Sequence, residues 1–252
     1  MNNRRAELIK LVNQQGFVSV EHLAHTFRVT PQTIRRDVNT LDQEGLLRRY
    51  HGGVAPASGA ENLAYGTRQV LHQDEKRQIA ALLASQVPDQ SSLFINLGTT
   101  TEEVARALLD HKGLRVITNN LNVAAILSAN TSFEVVVAGG VVRARDRGIT
   151  GEATLDFIRQ FRVDYGVIGI SGIDLDGTLR DFDYREVRVS QAILNHSRRV
   201  FLAADHSKFG RNALVELGHL SQVNALFTDQ PLPESLAVAV AESGVAVHVV
   251  SP

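Results

Sequence analysis

Two adjacent arginines, Arg35 and Arg36, sit inside the run Thr30-Pro31-Gln32-Thr33-Ile34-Arg35-Arg36-Asp37-Val38-Asn39-Thr40-Leu41. Thr30 offers a capping hydroxyl and Pro31 suits a first helical position, so a helix is expected to begin here and to stop at Gly45. At about 100° per residue, Ile34, Val38 and Leu41 form one apolar stripe and turn Gln32, Arg36, Asn39 and Thr40 outward. A guanidinium opposite the stripe can reach guanine O6 and N7 together, and the carboxamide of Gln32 matches adenine N6 and N7. Arg35 points sideways and, with Thr30 and Thr33 at the helix start, suits phosphate. Arg48, Arg49 and His51 follow in a short hairpin closed near Gly52-Gly53, placed to lie against the backbone or minor groove. This is chemistry for reading duplex DNA.

A second polar set follows apolar runs. Gly98-Thr99-Thr100-Thr101 succeeds Phe94–Leu97 and opens a helix, where a glycine, three hydroxyls and free helix N–H groups can cradle a phosphate. Asn119-Asn120, Gly139-Gly140, Asp174, and Asp205 with Lys208 end four further runs. Lys208 can neutralise a phosphate, while Asn120, Asp174 and Asp205 can pair with hydroxyls. Each alone suits a turn or a cap. Their recurrence at strand ends points to a phosphorylated polyol or sugar.

The elements that position these groups fall into two parts. Before the DNA-reading helix, Leu8, Ile9, Leu11 and Val12 recur at helical spacing until Gly16, and Ser19 can cap a second helix carrying Leu23, Ala24 and Phe27. Three helices and a wing within residues 1–57 make a winged helix-turn-helix domain. Residues 58–72 read as linker from Ser58-Gly59-Ala60 onward, after Pro56-Ala57. Over 73–252, seven apolar runs (92–97, 115–118, 133–138, 165–170, 200–204, 225–228 and 245–250) alternate with helical stretches. Such alternation implies crossovers and a parallel α/β sheet covered on both faces.

Charge follows the same division. The chain has 252 residues and a net charge of -1, yet residues 1–56 hold eight Lys/Arg against five acids, a net +3, and the remainder is correspondingly acidic. A basic head on an acidic body fits a polyanion reader joined to another module. With no Cys, disulfides, thiolate metal sites and cysteine nucleophiles are excluded. The nine His form no ligand motif, and neither metal nor cofactor is expected. No run reaches the ~18 apolar residues of a membrane span, and Asn2-Asn3-Arg4-Arg5 is no signal peptide, so a cytoplasmic protein without membrane contact is expected.

The head resembles the DeoR family of bacterial repressors, through Arg4, Leu8 and Val12, the Thr30–Val38 block and Leu47-Arg48-Arg49-Tyr50-His51-Gly52-Gly53. The body is similar to that family's sensor domain, through Thr118–Val123, Gly151–Phe157, Phe182-Asp183-Tyr184 and Asp205–Asn212. The resemblance implies an effector domain like ribose-5-phosphate isomerase, and repression of an operator relieved by a phosphorylated sugar metabolite. The Gly151–Phe157 and Asp205–Asn212 blocks narrow it to a branch for which glycerol 3-phosphate is the implied inducer. Two-fold operators call for a dimer or tetramer. An isomerase fused to a DNA-binding head is the alternative. It lacks the Lys-Gly-rich loop such isomerases carry after the turn at Gly172-Ile173-Asp174, and Glu186 alone does not make a general base. No Walker A sequence, G-x-G-x-x-G or nucleophile elbow occurs.

Overall fold

A computed structural model describes residues 3–15, 17–50, 52–56 and 65–251. Gly16, His51 and the linker's 58–64 lie outside the described residues, so the helix stop at Gly16 and the groove contact by His51 have no structural counterpart here. The chain divides into two compact units, Met1–His72 and Gln73–Pro252.

The first unit is built as α1 (Asn3–Gln15), β1 (Val18–Ser19), α2 (Val20–Thr26), α3 (Pro31–Gln43), β2 (Leu47–Tyr50), β3 (Gly53–Pro56) and α4 (Tyr65–Val70). Ser19 caps α2 by accepting from His22 N–H, and Thr30 caps α3 by accepting from Thr33 N–H, with Pro31 opening the helix. Leu8, Leu23, Ile34, Val38, Leu41, Leu47 and Val54 are fully buried in one core, and burying each large aliphatic side chain stabilises the unit by roughly 1.5–3 kcal/mol. The wing β2–β3 is joined by β1 as a third strand, in the order β1-β3-β2; two residues are too short to show a strand pattern. The stretch read as linker is not wholly irregular, because α4 falls within it.

The second unit runs α5 (Gln73–Ala84), β4 (Ser92–Ile95), α6 (Thr99–Ala107), β5 (Arg115–Thr118), α7 (Leu121–Leu127), β6 (Glu134–Val137), β7 (Val141–Val142), β8 (Ile149–Thr150), α8 (Glu152–Ile158), β9 (Val163–Ile168), β10 (Gly172–Ile173), β11 (Thr178–Asp181), α9 (Tyr184–Asn195), β12 (Ser197–Ala203), β13 (Val215–His219), β14 (Ala225–Thr228), α10 (Glu234–Ser243) and β15 (Ala246–Val249). Seven strands form one parallel sheet in the order β15-β14-β12-β9-β4-β5-β6, one for each apolar run in the sequence. Alternate residues serve the two faces. Leu93, Ile95, Val116, Val167 and Phe227 pack on one side with Ile79, Leu83, Val104 and Val123 of α5, α6 and α7. Phe94, Ile117, Ile168, Leu202 and Leu226 pack on the other with Leu155, Val189, Ile193 and Leu236 of α8, α9 and α10. The order matters for function. The chain builds outward from β4 through β5 to β6, then returns to β9 on the opposite flank of β4, so the direction of winding reverses between β4 and β9. In such sheets ligands enter the crevice at the strand C-termini where the winding reverses.

Candidate functional site

In the head, the exposed side of α3 carries Gln32, Arg35, Arg36 and Asn39, opposite the fully buried Ile34, Val38 and Leu41. Arg36 makes no ion pair within 4 Å among the described residues, and Arg35 has only a loose 3.9 Å contact with Glu21 between two exposed side chains. Pairs of that kind contribute about 0–1 kcal/mol, so Arg35 stays available to another anion. Thr30 and Thr33 hold their hydroxyls 3.0 Å apart at the exposed start of α3. Thr40 donates its hydroxyl to the Arg36 carbonyl and is thereby tied to its own helix. Arg48 is exposed on the wing. Arg49 is exposed too, but its Nη1 donates to Asn39 Oδ1 at 2.8 Å and its N–H to Asp42 Oδ1 at 2.9 Å. Wing and recognition helix are thus stitched together by two of the residues read as independent DNA contacts.

Asp37 belongs to no outward face. It is 4% exposed and accepts from Arg4 Nε at 2.7 Å and Arg5 Nε at 2.9 Å. Burial opposes its ionisation, but the two guanidiniums outweigh burial and hold its carboxyl below the usual range. This clamp fixes α1 against α3, and it removes Arg4 and Arg5 from the positive charge the sequence appeared to offer a polyanion. A charged residue on the stripe of Ile34, Val38 and Leu41 was the signal for it.

In the body, Gly98 caps α6 with φ +147°, a conformation that favours glycine. Thr99 and Thr100 follow it at the reversal point, buried at 7% and 6%. Thr101 is turned inward, donating its hydroxyl to the carbonyls of Asn96 and Gly98, each at 2.8 Å. The cradle therefore has two hydroxyls and not three. Asn120 caps α7 and donates Nδ2 to Glu102 Oε1; Asn119 donates to the Ile149 carbonyl at 3.1 Å. Both asparagines bind the strand end to its surroundings. Gly139 receives the Thr154 hydroxyl on its carbonyl, and a Cβ on Gly140 would meet Thr154 Oγ1 at 2.3 Å, so Gly140 admits the start of α8. Asp174 sits in the β10–β11 turn, paired with Arg180. Asp205 is fully buried, caps the short 3-10 turn His206–Lys208 and faces Lys208 Nζ at 3.7 Å. Strands lie about 4.8 Å apart, so the ends of β6 and β12 are separated by roughly 19 Å across four intervals. That is too wide for a three-carbon phosphate to touch Gly139 and Lys208 at once. The group nearest the reversal point is Gly98–Thr100.

Another cluster, with no signature in periodicity or spacing, lies at this edge. Arg143, in the loop between β7 and β8, meets Asp146, Asp183 and Glu186. Burial and the nearby Asp181 charge raise the Glu186 carboxyl above its ordinary value despite Arg143. Among the described residues no group of three or more His, Asp or Glu is disposed to hold a metal ion, and no helix is long and apolar enough to cross a membrane.

Two family models match the chain: the DeoR-like helix-turn-helix domain over residues 4–58 and the DeoR C terminal sensor domain over residues 71–230. The chain is 53% identical to the glycerol-3-phosphate regulon repressor of Escherichia coli (strain K12), over 92% of each chain. It is 52% identical to the protein of that name from Haemophilus influenzae, over 92% of this chain and 91% of the other. Among solved structures it is similar to ribose 5 phosphate isomerase A from Neisseria gonorrhoeae, at 17% identity, 54% coverage of each chain and a TM-score of 0.39.

Proposed function

The chain belongs to the DeoR family, and we propose that it is an operator-binding repressor of transcription released by a phosphorylated polyol, with glycerol 3-phosphate the favoured effector. The observation that carries this reading is the exposed set Gln32, Arg35, Arg36 and Asn39 on a helix whose opposite side, Ile34, Val38 and Leu41, is fully buried. Gln32 and Arg36 read base edges, and Thr30, Thr33, Arg35 and Arg48 grip phosphates. Asn39 and Arg49 set the wing against the helix and meet the backbone as a pair. The two repressors named above each match 92% of this chain, and the protein is not an enzyme.

The effector enters the crevice between β4 and β9, its phosphate on Gly98, Thr99 and Thr100 at the start of α6. A dimer or tetramer, held by the bodies, presents paired heads to a two-fold operator in the cytoplasm. Release requires the effector to bind better to the conformation that grips DNA poorly; a coupling of about 1–3 kcal/mol gives a 5–150-fold response. Fluorescence anisotropy of the full chain on duplexes carrying the protein's own upstream regions tests this. Tight binding to one duplex, weakened by glycerol 3-phosphate and not by glycerol, is the expected result. Equal affinity for every duplex, or indifference to the phosphate, rejects it.

A further inference from the structure

The loop Arg143–Gly148 joins β7 to β8 and lies over the end of β4. A Cβ on Gly148 would stand 2.7 Å from the Leu97 side chain and 3.3 Å from Arg143 Nη2, which puts the guanidinium beside the residue that precedes Gly98. Arg143 forks onto Asp146 at 3.0 and 2.6 Å and reaches Asp183 Oδ2 at 2.8 Å and Glu186 Oε1 at 2.5 Å. Arg145 Nη2 approaches those same two oxygens at 3.3 and 3.4 Å. Two carboxylate oxygens therefore flank one donor position.

The two guanidiniums are held differently. The Arg143 side chain is 16% exposed and fully engaged; that of Arg145 is 51% exposed and its contacts are longer. An exposed pair contributes only about 0–1 kcal/mol, so Arg145 can leave while Arg143 keeps the carboxylates from standing as bare buried charge. A second observation lies just below. Asn96, the residue after β4, is 3% exposed, yet its Oδ1 accepts no hydrogen bond from the described residues. Its Nδ2 donates to Ser190 Oγ, one turn of α9 beyond Glu186. Buried acceptors ordinarily have a donor, and ionised carboxylates accept only. Asn96, Asp183 and Glu186 thus all offer acceptors to something that brings hydroxyls.

We propose that Asp183 and Glu186, braced by Arg143, read the hydroxyls of a phosphorylated polyol: a hydroxyl takes the position of Arg145 Nη2, and that guanidinium returns to water. This rests on the strand-end effector site above and adds the part of it that tells a polyol from any other small phosphate. Calorimetric titration of the full chain with glycerol 3-phosphate and with n-propyl phosphate, which keeps the phosphate and lacks both hydroxyls, tests it. The unmodified protein should prefer glycerol 3-phosphate by at least about tenfold, because a site built to pair hydroxyls rejects an analogue without them. Glu186→Gln, and Asp183→Asn with its helix cap preserved, should bring the two affinities together. Thr100→Val should weaken both ligands by one factor and keep their ratio. The ratio is taken on one protein with two ligands, so a general loss of stability cancels. An unchanged ratio in both carboxylate variants, with Thr100→Val still weakening both ligands, overturns the hydroxyl-reading role and leaves the strand-end site standing. If Thr100→Val is also without effect, or the unmodified protein binds neither phosphate, the strand-end reading fails and this inference falls with it.

Discussion

Replacing Asp37 by Asn should unseat the head without touching the body. The carboxylate side chain is 5% exposed and accepts one hydrogen bond from each of two arginines that are 30% and 29% exposed. A hydrogen bond to a charged group contributes about 1.5–3 kcal/mol. The arginines are wet enough to recover part of their hydration, so a loss of about 3 kcal/mol is expected rather than the full sum of two such bonds. The unit Met1–His72 is small; at roughly 0.05–0.15 kcal/mol per residue its whole stability is about 4–11 kcal/mol. Such a loss lowers the melting temperature of a domain this size by about 12–24 °C. Scanning calorimetry, with hydrogen exchange on peptides from residues 3–43, reads the effect. Protection in α1 and α3 should collapse while that of β4, β9 and β12 is retained. The sign with pH is also fixed. Asp37 titrates below its unfolded value, so its contribution is complete above the ordinary carboxylate range and disappears as pH falls through that range and below it. The unmodified head should therefore lose stability in acid, and the Asn variant should show a flatter acid limb. A shift under about 3 °C with unchanged exchange in α1 would refute the clamp.

Three further outcomes follow from the geometry. Arg36→Ala should relax base preference at a cost of about 1–3 kcal/mol, whereas Arg48→Ala should weaken all duplexes alike and lower the salt slope by about one; equal losses on cognate and random duplexes for both variants would reject that division. Gly172→Ala places a Cβ 2.1 Å from the Arg211 carbonyl oxygen, a backbone atom that cannot swing away, so urea denaturation of the body should shift to lower concentration, and an unmoved midpoint would contradict the packing. Removing residues 1–57 should leave a body that unfolds cooperatively and still binds glycerol 3-phosphate; loss of cooperativity would move the domain boundary.

The parts of this fold that could be read from sequence are those where a pattern repeats. Runs such as Leu93–Ile95 and Val200–Ala204 are apolar throughout because both sheet faces are covered, and length separates them from helices. The caps at Ser19 and Thr30 were visible because a hydroxyl has one use at those positions. The hairpin β7–β8 and β10, an edge strand of the antiparallel sheet β10-β11-β13, were not, since strands of two residues have no period to detect. At the sites, Thr30–Leu41 lay open to helical geometry. Asp37 was hidden by distance, its partners Arg4 and Arg5 lying more than thirty residues away in sequence. Thr101 and Asn120 were read as ligand groups, but each closes a backbone turn. Arg143 comes from the β7–β8 loop and meets Asp183 and Glu186 at the start of α9, some forty residues further on, so no local pattern links them.

That reversal bears on how the protein is made. Leu93 of β4 pairs on one side with Val116 and on the other with Tyr165, so the strand that ends at the crevice waits for a partner translated long after it. At about 5–20 residues per second, the nascent chain carries β4, β5 and β6 for several seconds with the inner edge of β4 unpaired. Leu93, Phe94 and Ile95, almost wholly buried once β9 arrives, are during that interval an open template for a neighbouring chain on the same polysome.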